Sequence, residues 1–306
     1  MTELSSLVEQ QSAAHLALDP LLPPAFEPPE GEVLTAHVPG GERVAGVLTR
    51  TRVEAGTLPS LWSAQEVSEL HPLVGSAGAA GVAELLARWR SALGSSISDS
   101  ACLLHWPSRD AATARVLLDH GLIPLTVLAV RTAPPPAPTP ARTVTIRPVG
   151  ESDLEVAVGI EMTELCYSAQ VGGAVLRGDA EQLKRKALRY RFGSGDLLRL
   201  AEFGGVPVAL AECRIVEHAE SEGRGHRVNA GRWGYVNCAS VVPVARGKGI
   251  GRQLMTAVHR ELHQAGATAS YLYYNPPNPL SSVFWPRQGY RPLWTLWEVR
   301  PAGALR

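Results

Sequence analysis

Apolar residues return every four positions at Ile250, Leu254, Val258 and Leu262, which predicts a helix with one buried face. Gly266 is placed to cap its C-terminus. Upstream, "TVTIRPV" alternates as a strand, and a helix follows from Asp153 through "LEVAVGIEM". A second amphipathic helix, "AEQLKRKALRYRF", leads to "DLLRLAEFGGVPVALAECRIV", which reads as a hairpin turning at Gly204–Gly205. A polar loop (217–232) separates it from a further strand, "WGYVNCASVV". The second half of the chain is therefore α+β.

The two halves share a pattern. "LLHWPSRDAATARVLLDHGLIPLTVLAVR" (103–131) lies on "YLYYNPPNPLSSVFWPRQGYRPLWTLWEV" (271–299) without a gap. Leu104 then falls on Leu272, Gly121 on Gly289, Pro124 on Pro292, Leu125 on Leu293 and Leu128 on Leu296. Each copy reads strand, short helix, glycine turn, strand. Between the halves, residues 134–140 hold five prolines in seven positions, a stiff extended spacer. The expected organisation is a domain over 1–132, a linker over 133–142 and a second domain over 143–306.

Composition narrows what the chain can do. Lys+Arg and Asp+Glu each total 29 among 306 residues, so no overall basic field draws nucleic acid or an anionic membrane. No apolar run approaches the ~20 residues that span a bilayer. The N-terminal stretch has no basic start followed by an apolar core, so a cytoplasmic setting is expected. Cys102, Cys166, Cys213 and Cys238 are far apart and fit reduced, packed thiols better than a metal or disulfide framework. His259 and His263 are four apart on the 250–264 helix. They lie off its apolar stripe and are expected on the solvated surface, with no metal.

One stretch departs from ordinary turn chemistry. "VVPVARGKGIGRQLM" (241–255) passes from a strand end through glycines and positive charge into a helix. Backbone N–H groups left over at a helix start, the positive end of the helix dipole, and Arg246 and Lys248 together suit a phosphate or pyrophosphate. The other reading is a tight strand-to-helix turn with solvated basic residues. Neither GxxxxGK[ST] nor a GxGxxG in a βαβ setting is present.

The run Arg246-x-x-Gly249-x-Gly251, preceded by Val241 and Pro243, resembles the acetyl-CoA pyrophosphate motif of the Gcn5-related N-acetyltransferases (GNAT superfamily). Asn278, Ser281 and then Gly289–Tyr290 resemble that family's downstream Asn-x-x-Ala/Ser and Gly-Phe/Tyr ending, and the element order over 143–306 agrees. The resemblance implies two GNAT-like domains, each a mixed, mostly antiparallel sheet flanked by helices. The N-terminal one would be a degenerate copy, because "HPLVGSAGAAGVAELLARW" (71–89) places no arginine opposite Arg246.

It further implies acetyl-CoA as co-substrate and no metal. Val241 and Val242 would pair with the pantetheine arm. Arg246, Gly247, Lys248, Gly249, Ile250, Gly251 and Arg252 would surround the pyrophosphate. Asn278 and Ser281 would lie beside the thioester end, although Asn278 is equally a good helix cap before Pro279. The partners would be acetyl-CoA and an amine acceptor, for a monomer or homodimer.

The resemblance implies a glutamate base on the strand before the motif, at positions occupied here by Asn237 and Tyr235. Tyr235 and Asn237 could relay or hold a water, and Glu212 on the neighbouring strand is the nearest carboxylate, or else a solvent-facing strand residue. The thiolate-protonating tyrosine falls at Trp285, leaving Tyr273, Tyr274, Tyr290 or water. The expected activity is transfer of an acetyl (acyl) group to a primary amine of a small molecule or protein by direct attack. The alternative is a non-catalytic acyl-CoA-binding sensor or scaffold module.

Overall fold

The computed structural model describes residues 3–94, 97–135, 137, 144–219 and 227–306. Most of the proline-rich stretch lies outside the described residues. In the first half the elements are α1 (Glu3–Leu18), β1 (Glu32–His37), β2 (Arg43–Arg52), β3 (Glu66–Leu73), α2 (Gly78–Ala92), β4 (Ser100–Pro107), α3 (Ala111–Asp119) and β5 (Ile123–Arg131). The second half opens with β6 (Val144–Pro148), α4 (Leu154–Gln170), α5 (Ala180–Phe192), β7 (Leu197–Phe203), β8 (Val206–His218) and β9 (Gly231–Val241). It closes with α6 (Ile250–Gln264), β10 (Ala269–Tyr274), α7 (Ser281–Arg287) and β11 (Arg291–Val299).

The expected α+β class with a mostly antiparallel, helix-flanked sheet is borne out. Only β3–β4 and β9–β10 run parallel among the described strand pairs. The expected α5 and the β7–β8 hairpin fall where the sequence places them, with Gly204 and Gly205 at φ +61° and +78°. α4 runs on to Gln170, beyond the helix read as ending near Met162.

All strands join one eleven-stranded sheet, in the order β1-β2-β3-β4-β11-β5-β10-β9-β8-β7-β6. Within that order, the last strand of each half lies beside the penultimate strand of the other. β5 is antiparallel to both β10 and β11, and β11 is antiparallel to β4. β4–α3–β5 and β10–α7–β11 repeat the same order, and Gly121 and Gly289 both adopt a left-handed backbone, at φ +88° and +85°.

Helices cover both faces. Ile250, Leu254, Val258 and Leu262 of α6 are buried with Val127 and Ala129 of β5, Val236 of β9 and Leu272 of β10. On the opposite face Ala157, Val158 and Ile160 of α4 and Leu188 of α5 pack over Leu198, Leu200 and Leu210. Val82, Leu85, Leu86 and Trp89 of α2 close the first half. Burying these stripes drives the assembly, at roughly 1.5–3 kcal/mol for each large apolar side chain.

Candidate active site

β9 and β10 pair as parallel strands only from Trp233↔Ala269 to Val236↔Leu272. Beyond that they part, because β10 stays with β5 while β9 follows β8. A bulge marks the fork: Val236 opposes Cys213 and Cys238 opposes Glu212, leaving Asn237 without a direct partner. The wedge opens into a cavity of about 740 Å³ between Asn237–Val241 and Tyr273–Asn275, with Glu164, Tyr167 and Ser168 of α4 on its wall. Among the described residues, no strand lies beside the edge of β9 that faces this cavity. Its main-chain groups can therefore pair with an extended ligand.

The sequence between β9 and α6 shapes the mouth of the cavity. A short turn at Pro243–Ala245 is followed by Arg246–Gly249 and then the helix. Gly247 and Gly249 take φ +77° and +75°, a conformation that costs other residues strain. The N–H groups of Ile250, Gly251 and Arg252 have no carbonyl one turn back, so the helix presents its positive end here. Arg246 is half-buried rather than solvent-facing. Its Nε donates to the Val241 carbonyl at 3.0 Å and its guanidinium lies 5.5 Å from the Tyr167 ring centre. Lys248 Nζ stands 5.1 Å from the Phe203 ring.

The fold brings Val241, Arg246, Gly247 and Gly249 into the cavity wall together with Ile250, Gly251 and Arg252; Val242 and Lys248 fall outside that lining. Asn278 and Ser281 also line it. Asn278 Oδ1 accepts from the N–H groups of Leu280 and Ser281, so it caps the short α7. Ser281 Oγ donates to the Asn275 and Asn278 carbonyls.

Asn237 lines the cavity, with Tyr235 and Glu212 behind it. Tyr235 Oη donates to Asn237 Oδ1 at 3.0 Å, and Asn237 Nδ2 donates to Glu212 Oε1 at 2.7 Å. Glu212 is 3% exposed, not solvent-facing, and pairs with Arg191. Burial, reinforced by the adjoining Glu161, pushes its carboxyl up to about 8, and Arg191 opposes the rise. Burial also raises the Tyr235 phenol.

Of the substitutes for a thiol-protonating tyrosine, Tyr273 and Tyr274 line the cavity. Tyr290 is buried elsewhere, hydrogen-bonded to Ser270 and His259. That contact corrects the surface placement of His259, which is 4% exposed with its ring 2.9 Å from the Tyr290 hydroxyl. Burial holds His259 neutral, down to about 3. Among the described residues no group of three His, Cys, Asp or Glu side chains is placed to hold a metal.

Sequence reasoning missed Glu161 of α4 and Lys184 of α5. Each is the charged residue in a buried i, i+4 row: Ala157–Glu161–Leu165 and Ala180–Lys184–Leu188. A charge inside an apolar stripe is the signal that could have found them, since buried charges require partners. Lys184 Nζ lies 3.2 Å from Glu161 Oε2.

The first half has a corresponding fork that is closed. β3 and β4 are paired from Glu66↔Ser100 to Leu70↔Leu104 and then part. There, Gln11 of α1, 2% exposed, accepts with Oε1 from the N–H groups of both Val74 and Gly75 at 3.0 Å. The turn at Gly75–Ala77 runs straight into α2 at Gly78. No residues stand where the second half has Arg246–Gly249.

Residues 170–290 match the family model described as Acetyltransferase (GNAT) family, so the chain carries a domain of that family. The match supports acyl transfer in general as the class of chemistry. Among solved structures, a GCN5-related N-acetyltransferase from Sphaerobacter thermophilus is 16% identical with a TM-score of 0.54, over 89% of this chain and 82% of that one. A GCN5-related N-acetyltransferase from Kribbella flavida is 16% identical with a TM-score of 0.44, over 100% and 98%. Aminoglycoside N-acetyltransferase AAC(6')-Iy, solved with CoA, is 17% identical with a TM-score of 0.40, over 50% and 91%. The first of these likenesses concerns the fold. No curated protein matches the chain. Among the described residues, no helix is long and apolar enough to cross a membrane.

Proposed function

We propose that the chain is an acetyl-CoA-dependent N-acetyltransferase with one working site, in its second half. The observation that carries this reading is the fork of β9 and β10, with a glycine-bent, positively charged helix start at its mouth. The unpaired edge near Val241 suits the pantetheine arm. The N–H groups of Ile250–Arg252, with Arg246 and Lys248, suit the pyrophosphate. Asn278 and Ser281 stand at the thioester end.

In the reaction, an ammonium acceptor first gives a proton through water to ionised Glu212, which Asn237 links to the cavity. The neutral amine attacks the thioester carbonyl and the C–N bond forms. The C–S bond breaks, and the second amine proton passes to the thiolate, by way of Tyr273, Tyr274 or water. A main-chain N–H near Val241 would polarise the carbonyl. An alkyl amine is mostly protonated at neutral pH, which costs roughly 4–5 kcal/mol without a base. A carboxylate raised by burial answers that need.

The first half we read as a degenerate copy. Gln11 already satisfies the main-chain donors at its fork, and the cradle residues are missing. The test is thiol release from acetyl-CoA with a panel of small-molecule and peptide amines. Release that depends on an amine supports the enzyme; tight CoA binding with no release from any amine would leave the non-catalytic module.

A further inference from the structure

Beneath Asn237, four charged side chains meet in the interior between α4, α5, β8 and β9. Glu161 is 0% exposed, and Glu212 and Lys184 are each 3% exposed. Two carboxylates adjoin there, Glu161 beside Glu212. Compensation comes from Lys184 beside Glu161 and Arg191 beside Glu212. Burial works against the Lys184 charge, and Glu161, together with Cys238 and Glu164, more than restores it. Such an arrangement costs several kcal/mol of desolvation per ion, and apolar residues would fill the same space. It reaches the cavity through the Asn237 amide on Glu212.

We propose that Glu161 and Lys184 are positioning residues for Glu212: they touch neither the cavity nor the acceptor, and their opposed charges hold the Glu212 carboxyl poised to exchange a proton. This deepens, and rests on, the reading of Glu212 as proton acceptor. The charged and titratable groups facing Glu212 are Glu161 from α4, Lys184 and Arg191 from α5, and Tyr235 and Cys238 from β9; Glu164 of α4 acts on Lys184 and Cys238, and Arg214 follows on its own strand. Glu161 adds a like charge that keeps a proton on Glu212. Lys184 limits that effect by pairing with Glu161.

The two substitutions therefore move Glu212 in opposite directions. Glu161→Gln removes the negative neighbour and leaves Lys184 unpaired, so the Glu212 midpoint falls by about one pH unit or more. Lys184→Met unmasks Glu161, so the midpoint rises by a similar amount. Lys184→Arg keeps the charge and leaves it in place. The readout is a carbon-13 NMR titration of full-length protein labelled at glutamate carboxyls, with the Glu212 signal assigned by its loss in Glu212→Gln. The pH profile of kcat/KM for thiol release is recorded beside it.

Midpoints that stay fixed, or shift in the same direction in both variants, overturn the proposal and leave the cluster as packing. Opposed midpoints followed by the rate profile support it. Opposed midpoints with an unmoved rate profile also support the coupling, and instead remove Glu212 from the reaction. If Lys184→Met does not fold, the double variant Glu161→Gln/Lys184→Met replaces it. Its midpoint is expected above that of Glu161→Gln alone, and equality of the two overturns the proposal.

Discussion

Arg246 does two jobs that a turn residue would not. It closes the end of β9 by donating to the Val241 carbonyl, and it keeps positive charge beside a helix start, over the Tyr167 ring. If that charge receives a pyrophosphate, Arg246→Ala removes a charge-assisted contact of about 1.5–3 kcal/mol. Acetyl-CoA affinity should then fall roughly ten- to hundredfold. Calorimetry on wild type and variant side by side checks this, and unchanged affinity would reduce the stretch to a turn. The melting temperature should change little, since the folded chain loses only a half-buried bond to the Val241 carbonyl and the contact with the Tyr167 ring.

At the scale of elements, α1 explains why two similar forks have different fates. Its Gln11 supplies one carbonyl to two buried N–H groups, much as a ligand would. Gln11→Ala should leave Val74 and Gly75 unsatisfied in the interior, costing about 1–3 kcal/mol for each group left bare. Urea unfolding of the full chain measures that loss. CoA binding by the second half should be unaffected, and calorimetry should give one CoA per chain. Two equivalent CoA sites would show that the first half is not a degenerate copy.

For the whole molecule, the placement of β5 governs what can be separated. It lies between β10 and β11, and Asn275 at the cavity reaches it through the Leu125 carbonyl and Thr126 Oγ1. Arg177, in the connection between α4 and α5, also donates to the carbonyls of Ser60 and Ser63. A fragment of residues 143–306 therefore exposes the edges of β10 and β11, and open strand edges promote association. That fragment should lose acceptor activity or solubility, and adding residues 1–132 in trans should restore part of it. A fragment that is soluble, monomeric and fully active would remove the first half from the mechanism.

Short-range signals were enough to read much of this protein from its sequence. The four-residue apolar spacing of α6, the glycine pair at 204–205 and the repeat at 103–131 and 271–299 are all local, and each maps onto an element or turn. The proposed cradle could be read for the same reason: Arg246 through Gly251 are contiguous, and their glycines state a backbone requirement directly. What the sequence did not reveal depends on contacts between distant segments. Glu212 read equally as a candidate base or a surface strand residue until α4 and α5 were laid over it, and His259 lay off its helix stripe until Tyr290 arrived from 31 positions away. Most of all, β5 and β11 each look able to complete their own half. Strand pairing uses main-chain groups that every residue carries, so only the tertiary structure decided which half each strand joined.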